Sequence, residues 1–176
     1  DELIQHGSVL IAHRLKVTAA LAERMRECSI ELLGDLEVDV EYTPGVRRTE
    51  AVSIADDDIE SILPLIRDRF SRELDASQTE DVRRGTTSIG PQRDDFVFKI
   101  NGRSLAAFGS RGQQRLGVIA FKLSEADIIE RLTGEKPVLL LDDALSELDA
   151  SHASWLLNAL VDPDRQLLLT SAVEGV

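Results

Sequence analysis

The chain has 176 residues, 43% of them hydrophobic, and a formal net charge of −12 at pH 7. That length and apolar content can bury a core of one domain or one and a half, and they exclude wholesale disorder. The lone Cys28 excludes an intrachain disulfide and fits a reducing compartment, and no 18-residue apolar run or basic-then-apolar leader marks a membrane span or a signal peptide.

The acidity itself is read first as solubility. Phosphate contacts need Lys and Arg, so DNA affinity would have to come from a local patch or from parts outside this chain. The first residue is Asp1 and falls inside a helical pattern, so the expectation is an excised C-terminal portion of a longer protein.

Residues 1 to about 34 carry Leu10, Val17, Leu21, Met25, Cys28 and Leu32 at spacings of seven, four and three. These fall on one helical face, of a core helix or a coiled-coil arm. Gly7 weakens its first turns. Leu36 to Tyr42 alternates apolar and acidic residues, which predicts a strand with a solvated acidic face, ended by Pro44-Gly45. A helix over 57–75 follows, capped by Ser53 or Asp56, with Pro64 a possible break. Arg67, Arg69 and Arg72 on it read as a solvated face ahead of a DNA patch.

Residues 76–90, with Arg83, Arg84 and Gly85, are polar and read as a loop or linker. Asp95 to Ile100 is strand-like, Asn101-Gly102 is a hairpin turn, and Ser104 to Phe108 is the expected return strand. A helix from Gln113 to about Leu132 is closed by Gly134. The strand 138–142, a helix from Ala150 to Val161 and the strand 166–170 then make a βαβ unit with a parallel, right-handed crossover.

Chemistry concentrates at 138–149, VLLLDDALSELD. Its continuous Val/Leu run fits a strand buried on both faces, and a carboxylate at such a strand's C-terminal end sits where α/β sheets place ligands. Asp142 and Asp143 are adjacent at that end, so their side chains are expected on opposite sides. One suits Mg²⁺, and the other suits activation of a water. Taken alone, such an acid pair fits the capping of a nearby helix equally well. Ser110-Arg111-Gly112-Gln113-Gln114 places a hydroxyl and free backbone N–H groups at a helix start, where phosphates bind. Ser is also an ordinary N-cap. The G-x-x-x-x-G-K-[ST] phosphate loop is not in the chain.

The histidines His6, His13 and His152 show no metal-ligand spacing and read as solvated or capping residues. Trp155 and Cys28 read as packing.

Several stretches together resemble the RecF family of bacterial recombination and repair ATPases, relatives of SMC proteins within the ATP-binding-cassette superfamily. They are Gly90-Pro91-Gln92-Arg93-Asp94-Asp95, Asn101-Gly102, Ser110 to Arg115, Lys122 to Ala126 and Val138 to Asp149. The resemblance is dense from about 85 to 171 and weaker over 1–84.

The resemblance implies an α/β fold, the C-terminal lobe of an ABC-type ATPase head with a parallel βαβ core over 85–176, and part of a helical arm domain over 1–84. It implies a site for ATP and Mg²⁺ shared between two heads. Ser110, Gly112, Gln113 and Gln114 would be the signature motif facing the partner's γ-phosphate. Asp142 would hold Mg²⁺ and Asp143 would be the catalytic carboxylate, Asp where many relatives have Glu. Ser146 and Asp149 would form the D-loop. Thr170 falls at the switch position, often His elsewhere in the superfamily. The family's usual His in the Gly-Pro-His-Arg-Asp-Asp stretch is Gln92 here.

The implied whole protein is a cytoplasmic ATPase of recombinational repair. It would form an ATP-dependent homodimer on single-strand/duplex junctions of DNA, with RecR- and RecO-type partners and slow hydrolysis as a release timer. Three other readings compete: a nucleotide-free dimerisation module, another SMC-like ABC ATPase, and a Mg²⁺-dependent phosphoesterase using Asp142 and Asp143. The last has no use for Ser110 to Gln114.

Overall fold

The computed structural model describes residues 2–33, 36–47, 49, 59–145, 148, 150–160 and 162–171, with side chains described except at 31–33, 150–152, 155 and 159. The elements are α1 (Glu2–Leu33), β1 (Val38–Thr43), α2 (Ile59–Arg84), a 3₁₀ turn (Pro91–Arg93), β2 (Asp95–Ile100), β3 (Arg103–Ser104), α3 (Leu105–Phe108), α4 (Arg111–Thr133), β4 (Leu139–Leu141), α5 (Ala150–Leu160) and β5 (Leu167–Leu169). The chain is α/β, with two compact units: residues 1–20 with 41–97, and 21–40 with 98–176. Among the described residues no helix is long and apolar enough to cross a membrane.

The first unit is built on the start of α1 and on α2. Its core joins Ile11 and Ala12 to Tyr42, Val46, Ile62, Leu63, Ile66 and Phe70. Leu21, Met25 and Cys28 further along α1 are buried as expected, but the expected stripe is corrected at its first two positions, since Leu10 and Val17 are 43% and 45% exposed. The buried face instead runs through Ser8, Ile11, Ala12 and Thr18. Two of these four are hydroxyl residues, which counting of apolar positions passes over. Gly7 lies against Phe70, whose Cε1 would be 2.7 Å from a Cβ at that position, so the residue that weakens helix propensity also admits a core aromatic.

Two further expectations change in this unit. Helix α2 continues through Pro64, near its start, and runs on to Arg84, so 76–84 is helix rather than linker. The polar tail is stabilised by its own short-range pairs. Ser77 donates to Asp81 at 2.9 Å, and Glu80 accepts from both Arg83 and Arg84. Gly85, at φ +66°, follows the last helical residue. The candidate caps Ser53 and Asp56 lie outside the described residues.

In the second unit the far half of α1 supplies Leu21, Ala22 and Met25 to a core shared with Val38, Val40, Ile100 and Leu105. Cys28 is buried with Leu116 and Ala120, as packing. Strand β1 buries Val38, Val40 and Tyr42 and exposes Glu41 and Thr43, the alternation expected of it. The sheet order is β1-β2-β3, and β2 and β3 form an antiparallel hairpin pairing Lys99 with Ser104 and Ile100 with Arg103. Asn101 and Gly102 both have positive φ, as a tight two-residue hairpin turn demands. The return strand stops at Ser104. Residues 105–108 form a helical turn because Leu105 is pulled into the core and the Gly109 N–H closes on its carbonyl at 2.9 Å.

Strands β4 and β5 are parallel, pairing Leu139 with Leu167, Leu140 with Leu168 and Leu141 with Leu169. They pack on α4 and α5 through Ile119, Leu123, Ala126, Leu156 and Leu160. The strand expected to be buried on both faces is buried on one: Leu139 is covered, but Leu140 is 72% exposed. A two-stranded sheet with helices packed on one side leaves alternate side chains bare.

Candidate nucleotide site

The site grows out of the register of β4 and β5. Pairing Leu141 with Leu169 brings the residues after each strand side by side, Asp142 next to Thr170. The Thr170 N–H donates to the Leu141 carbonyl at 3.0 Å, extending the ladder by one bond. The Thr170 hydroxyl then engages both acids. It donates to Asp142 Oδ1 at 2.5 Å and accepts from the Asp143 N–H at 2.9 Å.

Strand geometry ends before the acids do. Asp143 has φ +50°, in the left-handed region that Asp tolerates better than most residues. The expected alternation of Asp142 and Asp143 across a strand therefore does not apply, although their carboxylates do take different partners. Asp143 Oδ2 lies 3.5 Å from Arg115 Nη2 on α4. Ala144 and Leu145, both buried, anchor the chain immediately afterwards.

The signature-like segment opens α4. Ser110 is the N-cap, and its hydroxyl accepts from the Gln113 N–H at 3.2 Å while Gln113 Oε1 accepts from the Ser110 N–H at 2.9 Å. This is a reciprocal capping box. Gln114 Nε2 donates to the carbonyls of Gly109 and Ala106 at 3.1 and 3.3 Å. Two consecutive glutamines thus tie down the loop before the helix, and Gly112 sits in the first turn between the cap and them. At the other end Gly134 closes α4 in the left-handed conformation.

Between α4 and β4 lies a cleft of about 520 Å³, walled by Arg111, Gln114, Arg115, Val118, Ile119, Lys122, Leu140, Leu141, Asp142 and Ala144. Arg111, Arg115, Val118 and Lys122 recur at helical spacing, so three cations follow one stripe of α4 beside the acid pair. Asp142 is exposed, and its Oδ2 has no hydrogen bond among the described residues. One or two carboxylates and otherwise water suit Mg²⁺, so Asp142 fits that ion. No group of three or more potential metal ligands occurs among the described residues.

The remaining candidates separate from this cluster. Ser146 and Asp149 lie outside the described residues, as do the side chains of His152 and Trp155. His6 and His13 are exposed. The Gly90–Asp95 stretch belongs to the first unit. Asp94, with its side chain 2% exposed, accepts there from Arg14, Tyr42 and the Gly45 N–H. The Tyr42 hydroxyl is pushed to a higher pKa by burial and by its bond to Asp94. Gln92 is exposed and donates to the Ile89 carbonyl at 3.1 Å. The feature that residue-by-residue reading missed is the role of Arg115, one of three basic residues lining the α4 side of the cleft, which the fold brings to Asp143.

A scan against protein-family models finds no match. Whole-protein comparison finds the DNA replication and repair protein RecF of Thermomicrobium roseum, 37% identical over all of this chain and 45% of the relative. The RecF protein of Oceanobacillus iheyensis is 34% identical over all of this chain and 46% of its own length. A solved structure of the recombination mediator protein RecF-ATPrS in the RecFOR pathway superposes with a TM-score of 0.78 at 30% identity, over 98% of this chain and 43% of that one. The chain matches a part of RecF. It spans less than half the length of these RecF relatives. A second RecF structure, with ATP, gives a TM-score of 0.75 at 32% identity.

Proposed function

We propose that this chain supplies one half of an ATP site in a RecF-type DNA replication and repair protein. Residues 85–176 form the C-terminal lobe of its ATPase head and 1–84 part of its arm domain. The observation that carries this is the joint placement of Asp142 and Asp143 just after β4, held by Thr170 at the end of the parallel β5 and lying beside the cleft under α4. Phosphoryl transfer needs positioned carboxylates and charge neutralisation, and little covalent chemistry from the protein.

In this reading Mg²⁺, held by Asp142, supplies charge neutralisation to the phosphates. Asp143 orients a water and takes its proton. Ser110 and Gly112 present the positive end of α4 to the γ-phosphate bound by a second copy, and Gln113 and Gln114 hold that loop in shape. Thr170 keeps the acids in register. Ser146 and Asp149 carry the signal across the dimer. The whole protein is then a cytoplasmic ATPase that closes as a homodimer on single-strand/duplex DNA junctions and works with RecR- and RecO-type mediators.

The test is Asp143→Asn in the whole protein. The amide keeps the shape and loses the basicity, so ATP binding should persist while phosphate release slows by about 10²–10⁴-fold, the range that positioned general bases supply. Hydrolysis at the normal rate would remove Asp143 from the role. Failure of the whole protein to bind ATP at all would favour a nucleotide-free dimerisation module.

A further inference from the structure

We infer that Arg115 is a positioning residue for the carboxylate of Asp143; this rests on the reading of Asp143 as the catalytic carboxylate. Asp143 is held from its main chain. Its backbone is left-handed, and its N–H is pinned by Thr170. These contacts place the Cα, and the direction of the carboxylate is set by what the side chain itself meets. A general base must present an oxygen within hydrogen-bond reach of the water it activates. A contact from another element to the carboxylate itself would set which way that oxygen points.

Arg115 provides it from α4, with Nη2 at 3.5 Å from Asp143 Oδ2 and side chains 26% and 45% exposed. The guanidinium stands on a well-fixed base. Its helix starts in the Ser110–Gln113 capping box. The residues immediately after it, Leu116 and Gly117, are buried, and a Cβ at Gly117 would lie 2.5 Å from Leu105. Arginine's planar fork holds a carboxylate in a defined plane, which the point charge of a lysine does less well. The same pair joins the signature-like segment to the catalytic loop within one chain. Displacement of the start of α4, when a phosphate docks there, would be transmitted to Asp143 through five residues of helix.

The experiment uses the whole protein, single-turnover and steady-state ATP hydrolysis, and the variants R115A, R115Q, R115K, D143N and R115A/D143N. R115A and R115Q should lower kcat on the order of tenfold, as loss of alignment does, with KM for ATP within about twofold of normal because that substrate contact is not the one removed. R115K should recover part of the rate. R115A should add nothing in the D143N background. R115Q retains most of the stem and serves where R115A does not fold. Normal kcat in both R115A and R115Q overturns the inference, as does a raised KM with unchanged kcat, which would make Arg115 a nucleotide contact. An additive effect in the double variant overturns it too. Normal hydrolysis by D143N instead overturns the underlying assignment of Asp143, and the inference with it. A slow D143N beside a normal R115Q removes Arg115 alone.

Discussion

Replacing Thr170 with valine isolates the contact that organises the acid pair. Valine keeps the β-branched shape and the methyl that suit the end of a strand, and it replaces the hydroxyl with a second methyl that can neither donate nor accept. Two bonds vanish: the 2.5 Å donation to Asp142 and the 2.9 Å acceptance from the Asp143 N–H. Bonds to charged groups contribute about 1.5–3 kcal/mol and neutral ones about 1 kcal/mol. Thr170 and Asp142 are both exposed, so water replaces much of what is lost. The net cost should therefore fall to about 1–2 kcal/mol, or about 2–8 °C in melting temperature for a chain of this size. Thr170→Ser restores both bonds and should recover most of the loss. Urea unfolding, followed by circular dichroism, measures the stability, and phosphate release by the whole protein measures the function, which should fall with T170V and return with T170S. A T170V protein with unchanged midpoint and unchanged turnover would show that the hydroxyl bridge organises nothing.

Gly7→Ala should destabilise the chain by about 1–3 kcal/mol, the usual range for overpacking, despite alanine's better helix propensity. The new Cβ would sit 2.7 Å from a fully buried Phe70, and a higher urea midpoint would contradict the packing argument. The Lys136–Asp162 pair should give a small pH dependence. The hydrogen bond from Lys136 holds Asp162 below its usual value of 3.8, so its contribution is present above about pH 4 and is lost as pH falls through the lowered value. The stability difference between wild type and Asp162→Asn should thus shrink as the pH is lowered below about 4. A difference constant over that range would remove the pair as its source.

The architecture around the site was largely legible because local signals and tertiary packing agree there. Ser110 with Gln113 has the spacing of a capping box, Asn101-Gly102 that of a hairpin turn, and the two Leu runs 139–141 and 167–169 became parallel strands. What stayed hidden depended on contacts distant in sequence. Ser8 and Thr18 lie on the buried face of α1, where hydropathy expects apolar side chains, while Leu10 and Val17 face out. Residues 105–108 turn into a helix only because Leu105 has a core to enter. The tail of α2 looks like linker until Glu80 is seen paired with Arg83 and Arg84. Likewise Thr170 could be placed near the acids only as a family position. Its two bonds follow from the β4–β5 register, and that register is a property of the folded sheet.

In the proposed dimer, α4 presents its first turn to a nucleotide held by a second copy, and Ser110→Arg in the whole protein should block that contact. The exposed N-cap gives a bulky side chain room in the isolated molecule, with loss of the cap costing about 1 kcal/mol. ATP binding by one copy should therefore remain, as read by equilibrium dialysis, while the ATP-dependent dimer disappears in light scattering. An ATP-dependent dimer that forms as readily in Ser110→Arg as in the wild type would contradict the account.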